Sequence, residues 1–165
     1  MSKFVQPLKV KGMFRINIEE DGQIVGDSGW HENLITNGGF LNMVNQMGTS
    51  LTGSKISHAA LGTGGAPGAT DTTQTGEVVT NGSGSVVRAA LTAATSSTSK
   101  TLHNTATFAS ANSFITAAAN ISNVGLWQVS GPLTSSGALM QGNSFTSSAL
   151  ATNQNVNLTY DLLFA

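Results

Sequence analysis

The stretch Asn155-Val156-Asn157-Leu158-Thr159-Tyr160-Asp161-Leu162-Leu163-Phe164 decides the fold class. Val156, Leu158, Tyr160, Leu162 and Phe164 share one parity, and Asn155, Asn157, Thr159, Asp161 and Leu163 the other. That period of two puts one face of a strand in a core and the other in water, and a segment so patterned is expected to be paired within a sheet. The alternation returns over residues 9–20, where Phe14, Ile16 and Ile18 alternate with Arg15, Asn17 and Glu19. Asp21-Gly22 follows. Asp-Gly between alternating segments is a strong hairpin signal, because both central residues of a type I′ turn take positive φ. Ile24 and Val25 then begin the return strand.

Further extended segments are expected at residues 56–61, 77–80, 85–95, 101–108, 120–129 and 137–145, separated by Gly, Ser and Asn turns. At 101–108, Leu102, Asn104, Ala106 and Phe108 lie on one face, opposite a Thr-rich face suited to water. Only one segment reads as helix. Phe40, Val44, Met47 and Leu51 recur at helical spacing and form one apolar stripe, with Thr36 or Asn37 to cap the start and Gly48 to end it. The expected fold is all-β and mainly antiparallel, a β-sandwich or jelly-roll-like domain with one short helix near residues 37–48. A chain of 165 residues suits one domain, here residues 13–165 preceded by an arm of residues 1–12.

Only 9% of residues are charged and the formal net charge is -1, against roughly 25% charged in ordinary soluble domains. Polar Ser, Thr, Asn and Gly are interleaved with Val, Ile, Leu and Phe, so the low charge does not signal disorder. It does speak against nucleic acid as the main ligand, since no field of Lys and Arg is present to neutralise phosphates. No cysteine occurs, which removes disulfides, thiolate nucleophiles and Cys-ligated zinc. No stretch has the length of a signal-peptide or membrane-spanning apolar run, so synthesis in the cytoplasm and no membrane partner are expected.

Short motifs with chemical overtones dissolve on inspection. Gly26-Asp27-Ser28-Gly29 resembles the nucleophile turn of chymotrypsin-like proteases, with His31 and His103 as conceivable bases, but no His precedes Ser28 as that order requires. Gly62-Thr63-Gly64-Gly65 lacks the following amphipathic helix and Lys that phosphate binding needs. His31-Glu32 begins a zincin pattern, yet Ile35 stands where the second His belongs. Asp21 and Asp27 read as turn residues. No catalytic residue, metal site or cofactor is expected, and the protein is read as not an enzyme. Trp127, in an apolar run, is expected in the core or at an interface.

The order of motifs resembles that of small virion structural proteins of tailed bacteriophages. The features that carry it are the Asp21-Gly22 hairpin, Asn33-Leu34-Ile35-Thr36-Asn37-Gly38-Gly39 opening a helix, Ala60-Leu61-Gly62-Thr63-Gly64 with Asp71-Thr72-Thr73 running to Glu77, Ile121-Ser122-Asn123-Val124-Gly125-Leu126-Trp127, and Asn157-Leu158-Thr159-Tyr160-Asp161-Leu162. The resemblance spans most of the chain from Lys9 onward and implies a β-sandwich virion component. The expected function is that of a capsid decoration (cement) protein, a homotrimer that clamps the major capsid protein on the capsid surface. The alternative is a tail-fibre, baseplate or receptor-binding component. The first 15 residues hold four of the seven strong cations, Lys3, Lys9, Lys11 and Arg15, and no acid. An arm with Phe4, Val5 and Leu8 as apolar knob and Lys3, Lys9 and Lys11 as basic rim is the expected partner contact on an acidic capsid surface.

Overall fold

The computed structural model describes residues 9–48, 55–78, 88–110, 119–130 and 139–165. In chain order the elements are β1 (Val10–Glu20), β2 (Gln23–Asp27), β3 (His31–Ile35), α1 (Asn37–Gly48), β4 (His58–Gly62), β5 (Ala89–Ala90), β6 (Thr92–Ser96), β7 (Thr101–Phe108), β8 (Ala119–Trp127), β9 (Leu139–Leu150) and β10 (Asn155–Phe164). All strand pairings are antiparallel. The strands follow one hydrogen-bonded path, β5-β4-β8-β9-β3-β1-β10-β7-β6, with β2 also paired to β1. The two ends of that path are consecutive in the chain, with Leu91 alone between them, so the sheet nearly closes on itself as a barrel. The fold is all-β with one short helix, as the alternation and the single helical stripe indicate.

The C-terminal strand is the centre of this arrangement. β10 lies between β1 and β7, and its register aligns inward residues in rows: Ile16 with Leu158 and Ala106, Ile18 with Val156 and Phe108, Phe14 with Tyr160 and Asn104. All of these are buried. Leu61, Ile121, Leu126, Phe145 and Leu150 from the other strands complete the interior. The β1–β2 turn has positive φ at both Asp21 (49°) and Gly22 (77°), as a type I′ hairpin requires. β2 and β3 form one line along the same edge of β1, interrupted at Ser28-Gly29-Trp30.

Several boundaries differ from the sequence reading. β9 runs on to Leu150, well beyond 145. Within 85–95, only β5 and the start of β6 are strand in the described residues, and the chain breaks at Leu91 to pair with β4 on one side and β7 on the other. Of 77–80, Glu77 makes an isolated bridge to Gly62, and residues 79 and 80 lie outside the described set. The stretch assigned to an arm is strand from Val10 on. Lys9 also pairs both ways with Ala165, donating to its carbonyl at 2.7 Å and accepting its N–H at 2.9 Å.

The helix spans the expected residues, Asn37–Gly48, and it is not the apolar stripe that meets the sheet. Thr36 caps it, its Oγ1 accepting the Gly39 N–H at 3.1 Å, and Gly48 is its last residue. Its apolar stripe points to solvent: Phe40 is 47% exposed, Leu41 61%, Val44 58% and Met47 71%. Gly39 and Asn42 form the buried side. Gly39 sits so close to the sheet that a Cβ there would lie 2.1 Å from the Met140 carbonyl oxygen. Among the described residues, no helix is long and apolar enough to cross a membrane.

Candidate functional site

The residues with chemical potential fall into three places. The first is the interruption between β2 and β3. Ser28 Oγ accepts the Ile16 N–H at 2.9 Å and donates to the Gly29 carbonyl at 2.8 Å. His31 Nε2 lies 2.8 Å from the Ser28 carbonyl oxygen, so it acts as the donor there and does not touch the hydroxyl. Its ring stacks on Phe14 with centroids 5.4 Å apart. Asp27 accepts Arg15 Nε at 2.9 Å, a second Arg15 bond through Nη2, and the Gly29 N–H at 2.8 Å. The bonds from Arg15 and then from Gly29 hold its carboxyl down at about 2. These residues fasten a strand irregularity. His103, on β7, lies on the other side of β10 and β1 from Ser28, so the two are not brought together.

The second place is the outer face of β4, β8 and β9, which residues 63–78 cover. That loop is tied down by backbone bonds: Thr63 N–H to Gly76, Val78 N–H to Leu61, Leu139 N–H to Thr72 and Asn37 N–H to Ala69. Beneath it Arg88 grips Glu77 with two bonds, Nε to Oε1 at 2.6 Å and Nη2 to Oε2 at 3.0 Å, and both side chains are 1% exposed. The Arg88 guanidinium also donates to the Val129 carbonyl and lies 3.6 Å from the centre of the Trp127 ring, a cation–π contact in a desolvated setting. Gln74 Nε2 donates to Asn123 Oδ1 at 2.6 Å, and Asn123 Nδ2 donates to the carbonyls of Gly65 and Thr75. A Cβ at Gly62 would come within 2.2 Å of Asn123 Oδ1. A Cβ at Gly64 would likewise come within 2.5 Å of the Thr75 carbonyl oxygen, so these two glycines permit the close packing of the loop.

The third is a shallow depression of about 350 Å³ beside the β6–β7 hairpin, lined by Thr95, Ser96, Ser99, Thr101, His103 and Asp161 among others. His103 Nδ1 and Asp161 Oδ1 are 2.6 Å apart. Among the described residues no three His, Asp or Glu side chains are placed to hold a metal ion.

Of the expected contact residues, Lys3, Phe4, Val5 and Leu8 lie outside the described residues. Lys9 is exposed at the end of the β1–β10 ladder, and Lys11, on β1, pairs with Glu32 of β3. Trp127 is fully buried, whereas Trp30 is 47% exposed. Sequence reasoning passed over Glu77, Arg88, Gln74 and Asn123. The available signal was sparse charge: Glu77 is the last acid before an acid-free stretch, and Arg88 one of two strong cations within it. It also passed over the outward face of α1, where the described apolar exposure is concentrated, with Leu34 at 36% on the strand leading into it. No protein-family model, no curated protein and no solved structure matches the chain.

Proposed function

We propose that the protein is a bacteriophage virion structural protein, a capsid decoration protein made in the host cytoplasm and seated as a homotrimer on the major capsid protein, whose shell it stabilises. It works by binding and carries out no reaction. The observation that carries this reading is the disposition of polar and apolar groups. Arg88, Glu77, Gln74 and Asn123 are spent on holding the protein's own loop, while Phe40, Leu41, Val44, Met47 and Trp30 face outward. A weakly charged exterior with large exposed apolar residues suits packing against protein, where few ions must be desolvated. The resemblance of the motif order to virion proteins supplies the setting.

A clamp of this kind adds stability by binding only the assembled shell, so its effect grows with occupancy. The cationic N-terminal residues supply steering toward an acidic capsid surface. The test is to localise the protein in purified particles and to compare the thermal rupture of particles with and without it. Density or crosslinks on the shell, with earlier rupture in its absence, are expected. Confinement to the tail would overturn the decoration reading in favour of a receptor-binding or baseplate component. The contribution of the arm is read by removing residues 1–8, a cut that spares the Lys9 pairing with Ala165. The domain should fold and its capsid affinity should drop; unchanged affinity would dismiss the arm as a contact.

A further inference from the structure

We infer that the interior holds a bound water site between the side chains of Gln141 and Asn33, which completes a buried polar network tying β3, β9 and β10 together. Gln141 and Tyr160 are buried, at 0% and 1% exposure, and the Tyr160 hydroxyl donates to Gln141 Oε1. Asn33 Nδ2 donates to the same oxygen at 3.1 Å. The three residues come from three strands, Asn33 from β3, Gln141 from β9 and Tyr160 from β10. Gly12 of β1 faces them. A Cβ there would lie 2.7 Å from Tyr160 Oη, 3.0 Å from Asn33 Cβ and 3.4 Å from Gln141 Oε1, so a side chain at position 12 would displace the polar tips.

Two atoms of this cluster are buried and unpaired among the described residues, Gln141 Nε2 and Asn33 Oδ1. Reversing an amide does not cure this. Burial pushes the Tyr160 phenol well above its usual pKa, against a smaller opposing effect of Asn33, so the hydroxyl keeps its proton and needs an acceptor. Reversing Gln141 alone would set two donors against each other, and reversing Asn33 alone two acceptors. Reversing both would leave Gln141 Oε1 and Asn33 Nδ2 unpaired and take the phenol's acceptor away. In every arrangement a buried donor and a buried acceptor are left over, each at the cost of an unmade hydrogen bond. The leftovers are complementary and close. Nitrogen and oxygen of one amide are about 2.2 Å apart, which with the 3.1 Å contact keeps the unpaired atoms within about 7.5 Å. One water with bonds of about 2.9 Å spans up to about 5.8 Å, and two in series span the rest. Water accepts from Nε2 and donates to Oδ1 at once. A cation would be repelled by the Nε2 protons, and an anion by the Asn33 oxygen. The site lies where support is scarce, since β3 pairs with β9 through Leu34–Gly142 and Ile35–Gln141 alone.

The test is solution NMR of the full chain, reading cross-relaxation between water and the side-chain amide protons of Gln141. A long-lived bound water gives cross-peaks of opposite sign in NOE and ROE spectra, and these are expected at Gln141 in wild type. The Tyr160 hydroxyl exchanges with solvent and lies beside that amide, so the measurement is repeated on Tyr160→Phe, where the peaks should persist. Their loss in Tyr160→Phe would trace them to the hydroxyl and overturn the inference. A wild-type Gln141 amide in contact with protein protons only would overturn it as well. Oxygen-17 relaxation dispersion of the solvent gives an independent count of long-lived waters. Gln141→Met, which keeps the length of the side chain and removes its amide, should lose the signal of one or two molecules relative to wild type, and an unchanged signal would count against the site. Should Gln141→Met fail to fold, the wild-type and Tyr160→Phe spectra decide the matter without it.

Discussion

The face of β4, β8 and β9 under the glycine loop and the face of α1 turned to solvent invert the usual allocation of residues. The first buries an arginine and a glutamate at 1% exposure each; the second leaves Met47 71% exposed. Neither is explained by residue type. Under the loop, every strong demand of the guanidinium and carboxylate is met: two mutual bonds, a backbone carbonyl and an aromatic face. At α1, the glycine approach and the cap fix which side of the helix meets the sheet, and the apolar stripe is left over. Burial follows from which partners a position can reach.

The contrast is broken most severely at the buried pair. Arg88→Met strands the Glu77 carboxylate in a desolvated site, and such a loss is expected to destabilise by about 3–5 kcal/mol, lowering Tm by about 10 °C or more in a domain of this size. Replacing both partners, Arg88→Met with Glu77→Leu, should restore most of that, because a well-packed apolar pair avoids the stranded charge. Melting curves of the two singles and the double check it. A single Arg88→Met variant melting with wild type would mean that water reaches Glu77 and that the loop does not seal it.

The helix side is broken at Thr36, which is fully buried. Its hydroxyl donates toward the Leu139 carbonyl at 2.7 Å, with the Met140 carbonyl at 2.9 Å, and accepts the Gly39 N–H. Thr36→Ala removes the cap and leaves those groups short of a partner, an expected loss of about 1–2 kcal/mol, read by chemical denaturation. Thr36→Ser, which keeps the hydroxyl, should recover most of it.

These two regions also mark what was legible in the sequence. β10 was readable because both its faces obey a local rule: Val156, Leu158, Tyr160 and Leu162 go inward and their neighbours outward. The start of α1 was readable for the same reason, since Thr36 caps it within one turn of itself. The facing of α1 was not, because it depends on Gly39 meeting the Met140 carbonyl, a residue far away in sequence. The pairing of Arg88 with Glu77, and of Gln74 with Asn123, depends likewise on how residues 63–78 fold over three strands. Closure at Leu91 is a property of both ends of the sheet at once, and no window of sequence contains it.

A smaller, pH-dependent effect belongs to His58, which opens β4 near the buried pair. Partial burial, and secondarily the charge of Arg88, holds its pKa below the ordinary value of 6.5. Ser57 Oγ donates to the Gln128 carbonyl at 2.9 Å, so His58 Nδ1, 2.8 Å from that oxygen, is the donor of the neutral ring. The unfolded chain then binds a proton below pH 6.5 that the folded chain resists, and stability falls as pH drops from 6.5 toward the folded pKa. Tm measured from neutral pH downward should decline over this window in wild type and stay flatter in His58→Gln. Equal slopes would show that the ring titrates as freely in the folded protein as in the unfolded chain.

The smallest effect is expected at the exposed counterpart of the buried pair. Arg15 and Asp27 make the same two-pronged contact as Arg88 and Glu77, but their side chains are 38% and 36% exposed, so water and salt compete for every bond. Asp27→Asn should therefore leave Tm unchanged at physiological ionic strength. The contact is still visible in acid. With its pKa held down at about 2 instead of the usual 3.8, Asp27 contributes whatever stability it has above 3.8 and loses it as pH falls toward 2. At low salt the wild type should thus show a slightly steeper acid decline than Asp27→Asn across that interval. If Asp27→Asn destabilised the protein at neutral pH as much as Arg88→Met does, the two pairs would be energetically alike, and burial under the loop would not be what sets Arg88 and Glu77 apart.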